Sequence, residues 1–263
     1  MMLYILMRAE SVTHEAIWGR RRLCDRFSNM NESSSAIGTA LSMIATLDAD
    51  LFEIVLLSLQ VSLSAVAIAS VIALPLGALI ALQRFPGRRA VVILLNAMMG
   101  LPPVVVGLMV YLLLSRAGPL GSMGLLFTPT AMVIAQSIIV LPIIAALSRQ
   151  TIADLNEEYG EYLRSLGCTP MQSIATLLWD GRFRLLTAIM AGFGRAIAEV
   201  GAVIIVGGNI QHSTRVMTTT IALETSKGNL ALALGLGVML LILALGVNAA
   251  ALVISDTARR RYG

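Results

Sequence analysis

The sequence predicts an all-α, polytopic membrane protein with about five transmembrane helices. Three observations carry this. Hydrophobic residue types make up 57% of the 263 residues and charged types only 13%. The mean hydropathy is +0.84. Apolar stretches of spanning length recur five times. A soluble domain carries roughly 25% charged residues, because it must cover itself with polar side chains. This composition excludes an ordinary cytosolic enzyme, a nucleic-acid binder and a disordered chain. The net charge of +4 then calls for arginines gathered on one side of a membrane. Lys227 is the one lysine.

A spanning helix needs roughly 20 mostly apolar residues. The stretches run over 54–82, 90–114, 130–147, 185–206 and 230–254. Loop 83–89 holds Arg84, Arg88 and Arg89. The connection after the third span holds Arg149, Arg164, Arg182 and Arg184, and the C-terminus holds Arg259, Arg260 and Arg261. With an odd number of spans these regions share one side. The other two connections hold only Arg116, Arg215 and Lys227. The positive-inside rule therefore places the C-terminus in the cytoplasm and the N-terminus outside.

The N-terminal region departs from this pattern. Arg20, Arg21 and Arg22 would lie outside, and Met1–Met7 is too short for a signal-peptide core. Met30, followed by Asn-Glu-Ser-Ser-Ser, is read as an alternative start, with a genuine tail as the other reading. The expected organisation is a tail over 1–35 and an interfacial segment over 36–49. A transmembrane domain follows over 50–256, then a cytoplasmic tail over 257–263. Cys24 and Cys168 offer no disulfide framework. With His14 and His212 as the only histidines, no metal site is expected.

Residues 148–184 form the longest connection and are patterned. Ile152, Leu155, Tyr159, Tyr162, Leu163 and Leu166 recur at spacings of three and four, so they share a helix face. Asp154, Glu157, Glu158, Glu161 and Arg164 take the other face. Gly167 stands where a helix C-cap is expected. Thr169-Pro170-Met171-Gln172 reads as a new N-terminus, with Thr as cap, Pro at the first position and Gln closing a capping box. Met171, Ile174, Leu177 and Leu178 make the stripe of this second helix. The pattern fits either an amphipathic pair lying on the membrane or a docking element.

Arg195 and Glu199 are the ionisable residues in the middle of a span. Four apart, they lie on one helix face. Charge at mid-bilayer is costly unless paired or hydrated, so both should face the bundle interior. One reading is a structural ion pair. The other is a lining or gate for an anion, which arginine suits because it stays charged and offers several donors. Gly192, Gly194, Gly201, Gly207 and Gly208 allow close helix packing or a hinge near Gly207-Gly208. Pro102-Pro103 must kink or break the second span. Pro75 and Pro142 should act more mildly. The connection 207–229 is rich in Asn, Thr and Ser, with Arg215 and Lys227 against Glu224. It is a polar outer mouth or a solvated loop.

Glu161-Tyr-Leu-Arg-Ser-Leu-Gly167 resembles the "EAA…G" loop of ABC-importer permeases, with Tyr162 and Leu163 in place of the two alanines. Gly192-Phe-Gly-Arg-Ala-Ile-Ala-Glu-Val-Gly-Ala, Val206-Gly-Gly-Asn-Ile, Thr214-Arg-Val-Met-Thr-Thr and Glu224-Thr-Ser-Lys-Gly resemble oxyanion permeases, most of all the tungstate type. The resemblance covers about 50–255. It implies the type I ABC importer permease fold, and a coupling loop at Glu158, Glu161, Tyr162, Gly167, Thr169 and Pro170. It also implies a pathway or gate among Arg195, Glu199, Gly207, Gly208, Asn209, Arg215 and Thr218. The implied partners are a homodimeric ATPase subunit that carries ATP and Mg2+, an extracytoplasmic oxyanion-binding protein, a second copy of this chain and the lipid bilayer.

Gly-x-x-x-x-Gly-Lys-Ser/Thr is absent from the sequence, so ATP hydrolysis is assigned to a partner and no cofactor to this chain. An ion-coupled secondary transporter would call for internal repeats and several intramembrane carboxylates. A membrane enzyme would call for a nucleophile or metal cluster. Neither set is present. Molybdate, sulfate or another small anion remains open beside tungstate.

Overall fold

A computed structural model describes residues 49–83 and 85–262, and every regular element among them is helical. In chain order these are α1 (Ala49–Leu82), α2 (Arg88–Met99), α3 (Pro103–Leu114) and a 3-10 turn at Gly121–Met123. Then come α4 (Pro129–Ser165), α5 (Pro170–Asp180), α6 (Arg182–Ile197), α7 (Gly201–Gly207), α8 (Met217–Ser226) and α9 (Leu230–Tyr262). The residues before 49, and with them the expected tail, its arginines and the interfacial segment, lie outside the described residues, as does Arg84.

Leu51–Leu82, Pro129–Ser165 and Leu230–Ser255 are long and apolar enough to span on their own. The second and fourth expected spans are each two helices. α2 and α3 meet at 99°, and α6 and α7 at 59°. Counting each bent pair as one span gives five. The first bend follows from two adjacent residues without N–H donors. The chain leaves the helix at Gly100, and Pro103 opens α3 at the position where a missing donor costs least. Pro75 and Pro142, in contrast, sit inside uninterrupted helices.

α1 and α4 form the most extensive helix pair. Ala65, Ala69, Ala73 and Gly77 repeat every four residues along α1, and the three alanines are fully buried. A Cβ on Gly77 would stand 2.6 Å from the Ala145 carbonyl oxygen. Small residues let two backbones approach where lipid supplies no hydrophobic drive. The pair is then stitched by Ser137 Oγ donating to the Ala65 carbonyl (3.2 Å) and Ser148 Oγ donating to the Leu74 carbonyl (3.1 Å). α3 and α7 meet just as closely. A Cβ on Gly107 would lie 2.6 Å from Ala202 Cα.

α4 runs on past the third expected span to Ser165, so the first half of the 148–184 connection is not a separate element. At 1.5 Å per residue its 37 residues reach about 55 Å, well beyond a hydrocarbon core of about 30 Å. The projecting end packs on α5 through Ile152, Leu155, Leu163, Ile174 and Leu177, with Ala78 of α1 and Leu185 of α6 in the same cluster. Arg88 closes the turn between α1 and α2. Its Nε and Nη2 donate to the Ile80 and Ala81 carbonyls at 2.8 Å, capping the C-terminus of α1. α9 remains helical through Tyr262, across most of the residues expected as a tail.

Candidate translocation and docking sites

The break in the fourth span brings together residues from four elements. α6 ends at Ile197, and Glu199 sits in the short link before α7. Arg195 Nη1 donates to Glu199 Oε2 at 2.8 Å. The carboxylate is 3% exposed and the arginine side chain 33%. The other carboxylate oxygen, Oε1, accepts from Ala202 N at 3.1 Å, so Glu199 also caps α7. The Glu199 carbonyl accepts from Thr218 Oγ1 of α8 (3.0 Å). The Ala196 carbonyl accepts from Gln136 Nε2 of α4 (3.2 Å). Both carboxylate oxygens are therefore committed within the protein. Arg195 keeps donors beyond the single one it spends here.

Of the expected pathway residues, the structure joins Arg195, Glu199 and Thr218 directly. Gln136 was missed by the sequence reading. The signal was available, since it is the one amide in the third span and polar groups inside a span are expensive.

Gly207 ends α7, and Gly208, Asn209 and Arg215 belong to the turn that follows it. Gly208 has φ +70°, and a Cβ there would meet the Phe127 ring at 2.8 Å, so both backbone and space demand glycine. Asn209 also takes a positive φ of 51°, which its short polar side chain tolerates. The turn is pinned rather than open. Thr214 Oγ1 donates to the Gly207 carbonyl, and Ile210 N donates to Thr214 Oγ1 at 2.9 Å. Thr219 Oγ1 lies 3.0 Å from Asn209 Oδ1. Ser58 of α1 receives Met217 N at 2.8 Å, tying α8 to the first span. Farther along the chain, Glu224 accepts from Lys227 Nζ (2.8 Å) and Asn229 Nδ2 (3.1 Å). The Lys227 bond is the main cause that holds its carboxyl below the usual range, against burial, which raises it.

The elements of the 148–184 connection fold as their local signals dictate. Gly167 N donates to the Arg164 carbonyl (3.0 Å) and Cys168 N to the Leu163 carbonyl (3.1 Å), a Schellman closure with Gly167 at φ +72°. Thr169 and Gln172 form the expected capping box, with Pro170 opening α5. Glu158, Glu161, Tyr162, Gly167, Thr169 and Pro170 are all exposed. The expected apolar face divides. Ile152, Leu155 and Leu163 are buried, whereas Tyr159, Tyr162 and Leu166 face outward. On α5, Ile174 and Leu177 are buried, while Met171 is 72% and Trp179 69% exposed. Arg182 lies over the Trp179 ring at 4.9 Å and the Phe183 ring at 4.6 Å, so the tryptophan is held in place although uncovered.

The family model described as the binding-protein-dependent transport system inner membrane component matches residues 73–261. The chain belongs to this family. As a permease subunit of an ABC importer it is a multi-pass membrane protein, and it works with an ATPase and a substrate-binding partner. It is 39% identical over 218 residues to a Haloferax volcanii protein described as "Probable anion ABC transporter permease protein", covering 81% of this chain and 94% of that one. It is 39% identical over 194 residues to the tungstate uptake system permease protein of Peptoclostridium acidaminophilum, covering 74% of this chain and 85% of the relative. It is 27% identical over 183 residues to a sulfate transport system permease protein of Escherichia coli, covering 67% and 63%.

Proposed function

We propose that this permease translocates a tetrahedral oxyanion, with tungstate as the substrate. The observation that carries the reading is the state of Arg195. It is a cation inside the fourth span whose carboxylate partner is fully occupied and whose own side chain remains one-third exposed. A guanidinium so placed offers donors to an anion without holding it tightly. That suits a subunit that must release its cargo. The similarity to a tungstate uptake permease selects tungstate among oxyanions. The weaker similarity to sulfate permeases keeps sulfate as the second reading, with molybdate beside it as a near match to tungstate in size and shape.

In this reading two copies of the chain enclose the pathway. α5 and the exposed end of α4, from Glu158 to Pro170, dock on a homodimeric ATPase that binds ATP and Mg2+. The arginine-bearing inner loops and the C-terminus face the cytoplasm. An extracytoplasmic receptor delivers the anion at the outer turn around Asn209, Arg215 and Thr218. Closure of the ATPase pair pushes on α5. The packing of Ile174 and Leu177 against Ile152 and Leu155 passes that motion to α4 and α1. The Arg195–Glu199 break, tied to α4 by Gln136 and to α8 by Thr218, is where the gate responds.

The test is uptake by cells carrying the whole transporter. Tungstate accumulation should depend on this chain and persist in excess sulfate. If sulfate or an amino acid is taken up in preference, the substrate reading fails.

A further inference from the structure

One cavity has no role in the gate just described. Its volume is about 180 Å3, and it lies between the start of α1, the turn after α7, α8 and the start of α9. A single liquid water occupies ~30 Å3, so the space admits a five-atom anion with part of its hydration shell.

The charges lining this cavity are unequally satisfied. Glu53 meets His212 Nδ1 at 2.9 Å. Glu224 is held by Lys227 and Asn229. Arg215 is different. Its Nε is buried without an acceptor, and it forms no ion pair among the described residues. The buried Nε is closed to an incoming acceptor, but the terminal Nη donors are not buried and form no hydrogen bond among the described residues, so they are what an anion in the cavity meets. Arginine cannot shed its charge. Leu57 and the nearly fully buried Leu236 floor the cavity, which strengthens any ionic contact made there. The Thr220 hydroxyl spends its proton on the Val216 carbonyl (2.8 Å) and is no donor to the cavity. Gln211 and Ser213, exposed at the rim, supply adaptable donors.

We infer that this cavity is an outer reception subsite that takes a tetrahedral oxyanion on Arg215, before the anion reaches Arg195. The inference rests on the oxyanion reading above. Of its two carboxylates, Glu224 is offset by the Lys227 ammonium, and Glu53 is held by His212. The subsite is weak by construction, since one guanidinium and two mobile rim donors hold the anion. It therefore passes the anion on rather than storing it. The same donors could take a carboxylate side chain of the docked receptor instead, so the assay omits the receptor.

The experiment uses the permease–ATPase complex in nanodiscs, with sodium tungstate in equilibrium dialysis and bound tungsten counted by mass spectrometry. Wild type should retain tungstate saturably, displaced by molybdate or sulfate but not by chloride at equal ionic strength. Arg215→Gln should weaken retention at least tenfold. Arg116→Gln, at an exposed arginine that does not line the cavity, should leave it unchanged. Retention no greater than in empty discs overturns the subsite and leaves Arg215 to a receptor carboxylate. Equal retention by Arg215→Gln and wild type overturns it as well, provided both variants elute as intact complexes. Tungstate uptake by cells is scored separately. Uptake without retention removes only the subsite, whereas absence of uptake removes the oxyanion reading itself.

Discussion

Glu199 Oε1 lies 3.1 Å from Ala202 N while Oε2 lies 2.8 Å from Arg195 Nη1, so one carboxylate both caps α7 and neutralises α6. The two functions separate by mutation. Glu199→Gln keeps an oxygen for the cap and loses the charge. Glu199→Ala loses both and leaves Arg195 uncompensated. Breaking a buried pair costs about 3–5 kcal/mol, and the partial exposure of Arg195 places the alanine variant at the low end. The glutamine variant should lose about 1 kcal/mol. Thermal unfolding of the purified complex orders the two, and equal losses would remove the cap from the account. Arg195→Gln should abolish uptake while the complex still assembles. Normal uptake in that variant removes Arg195 from the pathway.

Gly77 and Gly194 are both helical glycines inside the bundle region, yet they should respond oppositely to alanine. At Gly77 the new Cβ lands 2.6 Å from the Ala145 carbonyl and 2.8 Å from Ser148 Cβ. Backbone cannot step aside there without parting α1 from α4. The expected cost is about 1–3 kcal/mol. At Gly194 nothing lies within 4 Å, and alanine gains helix propensity of about 1 kcal/mol. Melting temperatures of the two variants, measured side by side, should move in opposite directions.

What the sequence made legible was local or compositional. The five apolar stretches, the Pro102-Pro103 break, the Gly167 closure and the Thr169–Gln172 box are each set by residues within a few positions of one another. What it hid was set by distant contacts. Nothing between Leu147 and Ser165 forces a helix end, so the chain's change from apolar to amphipathic looked like a boundary although α4 runs straight through it. The four-residue repeat of Ala65, Ala69, Ala73 and Gly77 was present to be read, but its partner on α4 was not. Periodicity also put Tyr162 and Leu166 with Ile152 on one face. It cannot tell apolar surface buried within a chain from apolar surface that waits for a second protein.

That unburied surface makes a sharp distinction on α5. Trp179 is exposed but stacked in place by Arg182, whereas Ile174, on the same helix, is 7% exposed within the cluster shared with α4. Preordered exposed tryptophans are frequent energetic centres of interfaces. Trp179→Ala should leave the melting temperature of the isolated permease nearly unchanged and lower its affinity for the ATPase subunit at least tenfold. Ile174→Ala should do the reverse, costing about 2–4 kcal/mol of stability with docking impaired only as folding fails. Pull-down titration against the ATPase, together with melting curves, separates these. Normal docking by the Trp179→Ala variant would take α5 out of the interface.

Glu224 supplies a pH dependence whose sign is fixed by its partners. The Lys227 ammonium, with Asn229 and the more distant Arg215, holds the folded carboxyl below its ordinary value of 4.5, although burial opposes them. The unfolded state therefore binds a proton at a higher pH than the folded state does. The stabilisation is present in full above about pH 4.5. It is lost as pH falls through the depressed folded value, where both states carry the proton. Wild type and Glu224→Gln should differ most in melting temperature above that range and converge below it. Lys227→Ala should shrink the stabilisation and raise the pH at which its loss is complete, because it removes the largest cause of the depression, while the onset stays at the unfolded value. Parallel curves for wild type and Glu224→Gln across the whole range would mean that the Glu224–Lys227 contact contributes no linked stability to the fold.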